Sequence, residues 1–182
     1  MLKLRDHSYT DISAQSHLSM YPQQQESDFK GKLADYTIPV RLYAVDAPEI
    51  KKGADSPYPS MPFAEEAKEW TSSNVKGKVV EVKLLQKDQY NRVIGKVTTT
   101  GSAPSVDLSL GLARNGFAMI YRGKGAEYDG NREAILEQIS YAQKMRLGVW
   151  SNGVENAQSP ADFKRMMKSR AKEAAASASS TQ

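Results

Sequence analysis

Residues 40–49 read VRLYAVDAPE and determine how the rest of the chain is interpreted. The segment begins with the alternation of apolar and polar residues that is typical of a half-buried strand, and this strand carries Arg41. It ends in a turn with Asp46 and Glu49, where Pro48 restricts the backbone between them. A guanidinium is therefore expected beside two carboxylates. These groups can bind a phosphate and a divalent cation.

A second informative stretch covers residues 78–99. Two segments with a strand-like apolar pattern, 78–86 and 92–99, are separated by the short polar sequence KDQYN at 87–91. This spacing predicts a β-hairpin. Arg92 stands where the second strand leaves the turn, so a second arginine is expected at the end of a strand.

Helical spacing of apolar side chains predicts amphipathic helices over residues 62–76 and about 130–147. Asp107 is a suitable cap for a shorter helix that ends at Gly116. Strands come first along the chain, one helix lies within the set of strands, and helices come last. This order predicts an α+β, β-rich fold, namely a small five-stranded barrel of the oligonucleotide/oligosaccharide-binding type packed with about three helices.

Residues 1–151 are expected to form the folded domain, starting with an alternating, strand-like segment at residues 1–6. Residues 11–32 are polar and include three consecutive glutamines, so they are either an insertion or a flexible flap, and we favour a disordered insertion. Residues 152–182 form a polar and basic tail. A helix is predicted from Pro160 onward, and the last ten residues are expected to be disordered.

Composition limits the kinds of function that the chain can have. It contains no cysteine and two histidines, which excludes disulfides, thiolate metal sites and histidine-rich clusters. Any metal is therefore expected to have oxygen ligands, which favours calcium, magnesium or manganese. The net charge of +4 suits a polyanionic partner. No apolar run is long enough to span a bilayer, and the sequence leaves the compartment unknown.

Hydrolysis of a phosphodiester requires charge neutralisation, an activated water and correct positioning of both. Arg41 and Arg92 are the candidates for binding the phosphate, because a guanidinium donates two parallel hydrogen bonds and stays charged. The carboxylate of Asp46 and the carbonyl of Ala47 are expected to face one cation. Glu49 is the candidate for the base that acts on the water.

Each of these residues also has an ordinary structural interpretation. Arg41 could lie on a solvated strand face or form an ion pair with Asp46 or Glu49. Arg92 could be an ordinary polar residue of a hairpin, and Glu49 could be an ordinary residue of a turn. Taken singly, the structural interpretation is favoured for either arginine.

Together, the two stretches resemble the staphylococcal nuclease, or thermonuclease, family. The family pattern has an arginine, a short apolar stretch and D-x-P-E, followed later by D-x-Y-x-R before an apolar strand. The residues that match it, in order, are Arg41, Asp46, Pro48, Glu49, Asp88, Tyr90 and Arg92. The resemblance covers residues 36–151 and includes DLSLGLARNGFA at 107–118 and LGVWS at 147–151.

The resemblance implies a calcium-dependent endonuclease with one calcium site. It implies that Arg41 and Arg92 contact the scissile phosphate, that Asp46 binds calcium and that Glu49 acts on the water. The expected substrate-binding residues are Tyr90, Tyr121 and Lys87. We expect DNA or RNA as substrate, with single strands preferred because a barrel groove with aromatic and basic side chains reads little sequence. We expect a monomer.

One feature departs from the family pattern. The G-D-G-D type turn between the first two strands, whose last aspartate is another calcium ligand, does not occur in this sequence. We therefore expect the chain to begin one strand and one metal ligand late, with weaker calcium binding as a result. The glutamine run and the SPADFKRMMK tail are similar to the fungal, membrane-anchored branch of the family.

Two other functions remain open. The missing ligand favours a catalytically silent module that binds nucleic acid or a protein. A purely structural interaction domain is the third possibility, but it would leave the cluster of arginines and carboxylates unexplained.

Overall fold

The computed structural model describes residues 2–5, 37–51, 53, 56, 58–90, 92–101 and 104–179. Six strands and four α-helices lie in these ranges. In chain order they are β1 (Leu2–Arg5), β2 (Thr37–Leu42), β3 (Val45–Asp46), α1 (Ala64–Val75), β4 (Val80–Lys87), β5 (Val93–Thr99), α2 (Leu108–Arg114), β6 (Met119–Ile120), α3 (Arg132–Lys144) and α4 (Pro160–Ser179). Two short 3-10 helices, Gly148–Trp150 and Val154–Asn156, connect α3 to α4.

The strands form a four-stranded sheet in the order β1-β2-β5-β4 and a two-stranded sheet of β3 and β6. β4 and β5 are antiparallel neighbours, which confirms the predicted hairpin. β2 runs antiparallel to β1 and parallel to β5. The α+β class is thus confirmed. In the described ranges the strands make two separate sheets where one closed barrel was expected. The three helices expected in the domain correspond to α1, α2 and α3, and α4 is the helix predicted from Pro160 onward.

A kink in the backbone separates the two sheets. The strand that carries Arg41 ends at Leu42, because Ala44 adopts a left-handed conformation with φ of 61°. Two backbone hydrogen bonds hold the kink: the Ala44 N–H donates to the Glu127 carbonyl at 2.9 Å, and the Tyr121 N–H donates to the Ala44 carbonyl at 2.8 Å. The chain therefore leaves the first sheet and pairs with β6, with Asp46 opposite Met119.

The main core lies between the sheets and helices α2 and α3. Its larger buried side chains include Tyr43, Leu112, Ile135, Ile139 and Trp150. Trp150, which is 6% exposed, follows the end of α3 and closes this core.

Asp107 caps α2, as the sequence predicted. Its Oδ1 accepts the backbone N–H of Ser109 at 2.9 Å, and its Oδ2 accepts the hydroxyl of Tyr43 at 2.7 Å. Burial of Tyr43, followed by this hydrogen bond to a carboxylate, raises the pKa of the Tyr43 hydroxyl far above its usual range. The neutral phenol therefore ties the end of β2 to the start of α2.

The tail is more regular than the sequence indicated. Helix α4 continues to Ser179, so most of the last ten residues, which were expected to be disordered, are helical. The reason is the alanine-rich sequence AAASAS, since alanine has the highest helix propensity. Phe163 of α4 is 6% exposed and packs against Met61 and Ala64. The first turns of α4 thus contact the body of the fold.

Two predictions about domain organisation remain predictions. The proposed insertion at 11–32 lies outside the described residues, and the boundary between residues 151 and 152 is not tested. No helix in the described part of the chain is both long enough and apolar enough to cross a membrane.

Candidate active site

A cleft with a volume of about 660 Å³ lies between α1 and the ends of β2 and β3. Four predicted site residues line it: Arg41, Asp46, Ala47 and Arg92. Glu49 lines a neighbouring cleft of about 240 Å³, which lies between the following loop and α4. The structure therefore brings the predicted catalytic and metal-binding residues to one region of the surface.

The two arginines meet because β2 and β5 are parallel neighbours. Val40 pairs with Val93, so Arg41 directly follows this pair on one strand and Arg92 directly precedes it on the other. This pairing brings together two residues that are 51 positions apart in the sequence. Because the two arginines lie on different β-strands, the residue pattern within either strand could not reveal that they are close together.

Arg41 stacks on Tyr121. The guanidinium carbon lies 3.8 Å from the centre of the tyrosine ring, a favourable cation–π distance. On Gly123, a Cβ atom would collide with the Tyr121 hydroxyl, so the glycine leaves room for the ring. Tyr121 was predicted to bind substrate. The structure brings it into the site as a platform that restricts the orientation of Arg41.

Arg92 is held by Asp88, a residue that belongs to the matching motif but was not among the predicted site residues. The Nε and Nη2 atoms of Arg92 donate to Asp88 Oδ2 at 2.7 and 2.6 Å. The other oxygen, Oδ1, accepts the backbone N–H groups of Tyr90 and Arg92, both at 2.9 Å. Desolvation acts to raise the pKa of Asp88, but these hydrogen bonds and the charge of Arg92 hold it below its ordinary value.

This arrangement makes Asp88 the residue that shapes the hairpin turn and orients Arg92. The signal that could have identified it is the spacing D-x-Y-x-R, because an aspartate before a turn often accepts the backbone N–H two residues on.

Tyr90 and Lys87 lie at the tip of the hairpin. The Tyr90 side chain is 70% exposed, and its ring centre lies 5.4 Å from the Arg92 guanidinium carbon. Lys87 is exposed at the end of β4. Both side chains are exposed.

Asp46 is a partly buried carboxylate surrounded by charges. Burial raises its pKa above the ordinary value, and the neighbouring Glu49 acts in the same direction. Three cations, Lys164, Arg41 and Arg92, oppose the increase. Among the described residues, no side chain donates a hydrogen bond to this carboxylate.

Glu49 is paired with a residue that sequence reasoning did not connect to the site. The Nζ of Lys164, on α4, lies 2.7 Å from Glu49 Oε1, and the two side chains are 55% and 25% exposed, respectively. Lys164 was considered only as part of a basic tail. No local pattern could have placed it here, because the contact joins residues 115 positions apart.

The donor set is suited to a hard cation but is small. The described residues contain no group of three or more histidine or acidic side chains that could hold a metal ion. The Asp46 carboxylate and the Ala47 carbonyl are oxygen donors of the type that calcium prefers, with Glu49 beside them. Calcium takes six to eight oxygen ligands, so waters or phosphate oxygens would have to supply the others. The residues present fit a weakly bound calcium ion.

Comparison with known proteins agrees with the geometry. The profile of a family described as staphylococcal nuclease homologue matches residues 39–152. A probable endonuclease LCL3 of Komagataella phaffii is 41% identical over 138 residues, which cover 75% of this chain and 58% of the relative. The endonuclease Htp3 of Saprolegnia parasitica is 37% identical over 139 residues, which cover 76% of this chain and 64% of the relative.

A probable endonuclease LCL3 of Candida dubliniensis is 37% identical over 135 residues, covering 74% of this chain and 56% of the relative. The chain thus spans less than two thirds of the length of each of these relatives. The resemblance inferred from the motifs is confirmed, and with it the expected fold class.

Proposed function

Because the chain belongs to the staphylococcal nuclease homologue family, we propose that it is an endonuclease that hydrolyses phosphodiester bonds of DNA or RNA with calcium as cofactor. The observation that carries this proposal is the meeting of Arg41, Arg92 and Asp46 on one cleft, with Glu49 lining the neighbouring cleft. A purely structural module would have no need to gather these groups. Nuclease-named relatives support the same reaction class.

The two arginines are proposed to bind the scissile phosphate. Each is held by a different partner, Arg41 by the ring of Tyr121 and Arg92 by the carboxylate of Asp88. Both guanidinium groups are therefore restricted before substrate arrives, which reduces the entropy lost on binding. Charge that develops on the phosphate oxygens would be stabilised by their N–H groups.

Glu49 is proposed to accept the proton of the attacking water. Its carboxylate is partly exposed, so water can reach it, and the Nζ of Lys164 lies 2.7 Å from its Oε1. A carboxylate in hydrogen-bond reach of a water can act as general base or can orient the water for in-line attack.

Asp46 and the carbonyl of Ala47 are proposed to hold the calcium ion. When bound, calcium would neutralise charge on the phosphate and favour deprotonation of a water. Burial raises the pKa of Asp46, and the positive charges of Lys164, Arg41 and Arg92 oppose that increase.

A single strand of nucleic acid is the proposed substrate. The exposed ring of Tyr90 can stack on a base irrespective of sequence, and Lys87 can attract the backbone. All of the proposed site residues lie in one chain, so the proposal requires a monomer only.

The alternative is a binding module that does not cut nucleic acid. Two observations favour it: the small number of calcium donors among the described residues, and the ion pair that engages Glu49. Such a protein would bind nucleic acid through the same arginines and would show no turnover.

The proposal is tested with Arg41→Ala and Arg41→Lys in a cleavage assay on a fluorescent single-stranded oligonucleotide. Removing one donor of an oxyanion or phosphate site typically costs about 100- to 1000-fold in rate, so we expect a loss of this size for Arg41→Ala. Arg41→Lys should recover only part of it, because lysine keeps the charge but loses the two-pronged geometry.

Arg114→Ala is the matched control. Arg114 also stacks on a tyrosine, with its guanidinium carbon 4.2 Å from the ring centre of Tyr141, but it lies on the surface of α2 and lines neither cleft. Wild-type rates are expected for this variant. Equal losses in Arg41→Ala and Arg114→Ala, or no loss in either, would overturn the proposed role of Arg41.

A further inference from the structure

Helix α4 lies beyond the segment that matches the nuclease family, and it carries most of the net charge of the chain. Residues 160–179 contain five basic and two acidic side chains, a net charge of +3 in a chain of net charge +4. The basic residues are Lys164, Arg165, Lys168, Arg170 and Lys172.

Three of these cations form a row along one side of the helix. At about 100° and 1.5 Å per residue, Lys164, Lys168 and Lys172 fall within an arc of about 80° and follow one another at steps of about 6 Å. By the same geometry, Asp162 and Glu173 lie about 160° to 180° from Lys164, on the other side of the helix. We call Lys164, Lys168 and Lys172 the lysine row.

The row begins at the proposed catalytic carboxylate. Burial of Phe163 fixes the first turns of α4 against the body, and Lys164 contacts Glu49 at 2.7 Å. Lys164 and Lys168 both line the cleft of about 240 Å³, together with Glu49 and Lys51. From there the row continues along the helix through Lys172, away from the cleft.

An exposed charged face usually needs no ligand, but this one has two features that favour a polyanion. Lys168 and Lys172 are exposed, and no acidic side chain in the described ranges forms an ion pair with either of them. Like charges at a spacing of four residues also destabilise a helix, and a bound anion would remove that repulsion. The contact of Lys164 with Glu49 joins the row to the active site.

We propose that the lysine row binds backbone phosphates of the nucleic-acid strand as it leaves the catalytic cleft. The inference rests on the proposed function, because it takes that enzyme's substrate as the ligand. The row adds affinity without reading sequence, since phosphate contacts carry no base information. Helix α4 thereby extends the binding surface beyond the part of the chain that matches the family.

The test is the salt dependence of binding, which reports how many phosphates are neutralised. The full chain is titrated into a labelled 20-nucleotide single strand by fluorescence anisotropy in excess chelator, and the strand is checked by gel to be uncut. For single strands each phosphate contact contributes about 0.7 to the slope of log affinity against log salt. We expect Lys168→Met/Lys172→Met to reduce the slope by about 1.4.

Lys76→Met/Lys144→Met is the control with the same change of net charge. These two lysines are exposed at the C-terminal ends of α1 and α3 and line neither cleft. We expect the wild-type slope for this variant, and circular dichroism should show that both double variants are folded. A wild-type slope in Lys168→Met/Lys172→Met, or an equal reduction of the slope in the control, would overturn the proposal that the lysine row binds phosphates.

This test can fail independently of the proposed function. A protein that binds nucleic acid through the lysine row but never cuts it would contradict the proposed nuclease activity and support phosphate binding by the row. A protein that cuts in calcium, but whose salt slope does not depend on Lys168 and Lys172, would contradict phosphate binding by the row alone.

Discussion

Replacing Glu49 with glutamine is expected to reduce the rate of single-strand cleavage by about 100- to 10,000-fold, the usual contribution of a general base. Glutamine has the same shape but cannot accept a proton. Its amide oxygen can still accept a hydrogen bond from Lys164, which is 55% exposed and tolerates the loss of its counter-charge. The fold should therefore be unaffected, and the initial rate of cleavage in calcium is the measurement.

Glu65→Gln is the matched control for this substitution. Glu65 is also paired with a lysine, Lys68, at 3.2 Å, but it lies exposed on α1. We expect this variant to cut at the wild-type rate. A Glu49→Gln enzyme that keeps its rate within about twofold would exclude Glu49 as the base, whatever the control shows.

Substituting alanine for Gly116 is expected to destabilise the fold by about 2 to 5 kcal/mol, the sum of the cost of the backbone conformation and the cost of a collision. Gly116 has φ of 70°, and a Cβ there would collide with the backbone carbonyl of Leu147. The backbone cannot easily move apart, because the Val149 N–H donates to the Gly116 carbonyl at 2.9 Å. Urea unfolding followed by circular dichroism measures the effect.

Two further variants separate the collision from the backbone conformation. Gly77 has φ of 69°, but a Cβ there would meet nothing within 4 Å, so Gly77→Ala should cost only about 1 to 2 kcal/mol. Gly148 lies opposite Gly116, where the two backbone segments approach closely. A Cβ on Gly148 would collide with the Gly116 carbonyl, so Gly148→Ala should destabilise the fold about as much as Gly116→Ala. Equal losses of unfolding free energy in Gly77→Ala and Gly116→Ala would show that the close approach of the two backbone segments does not add to the cost of the substitution.

Local patterns predicted the local elements well. The hairpin of β4 and β5 and the Asp107 cap follow from alternation, turn residues and side-chain chemistry over a few positions. The kink at Ala44 was not predicted, because alanine rarely adopts a positive φ and nothing nearby marks it. It is imposed by hydrogen bonds to residues 121 and 127, about 80 positions away in the sequence.

The candidate site shows the same limit. The types and spacing of Arg41, Asp46, Glu49 and Arg92 identified the family and hence the candidate site, but not the partners that orient these side chains. Tyr121 was expected to contact substrate rather than Arg41, and Lys164 was assigned to a tail that was not connected to the site. Both contacts depend on tertiary packing over long sequence separations.

Cleavage of single-stranded DNA by the purified 182-residue chain, in calcium and in excess chelator, tests the proposed function most directly. We expect cutting in calcium, loss of cutting in chelator, and recovery when calcium is restored. A folded protein that does not cut in calcium, or that cuts equally well in chelator, would contradict a calcium-dependent nuclease.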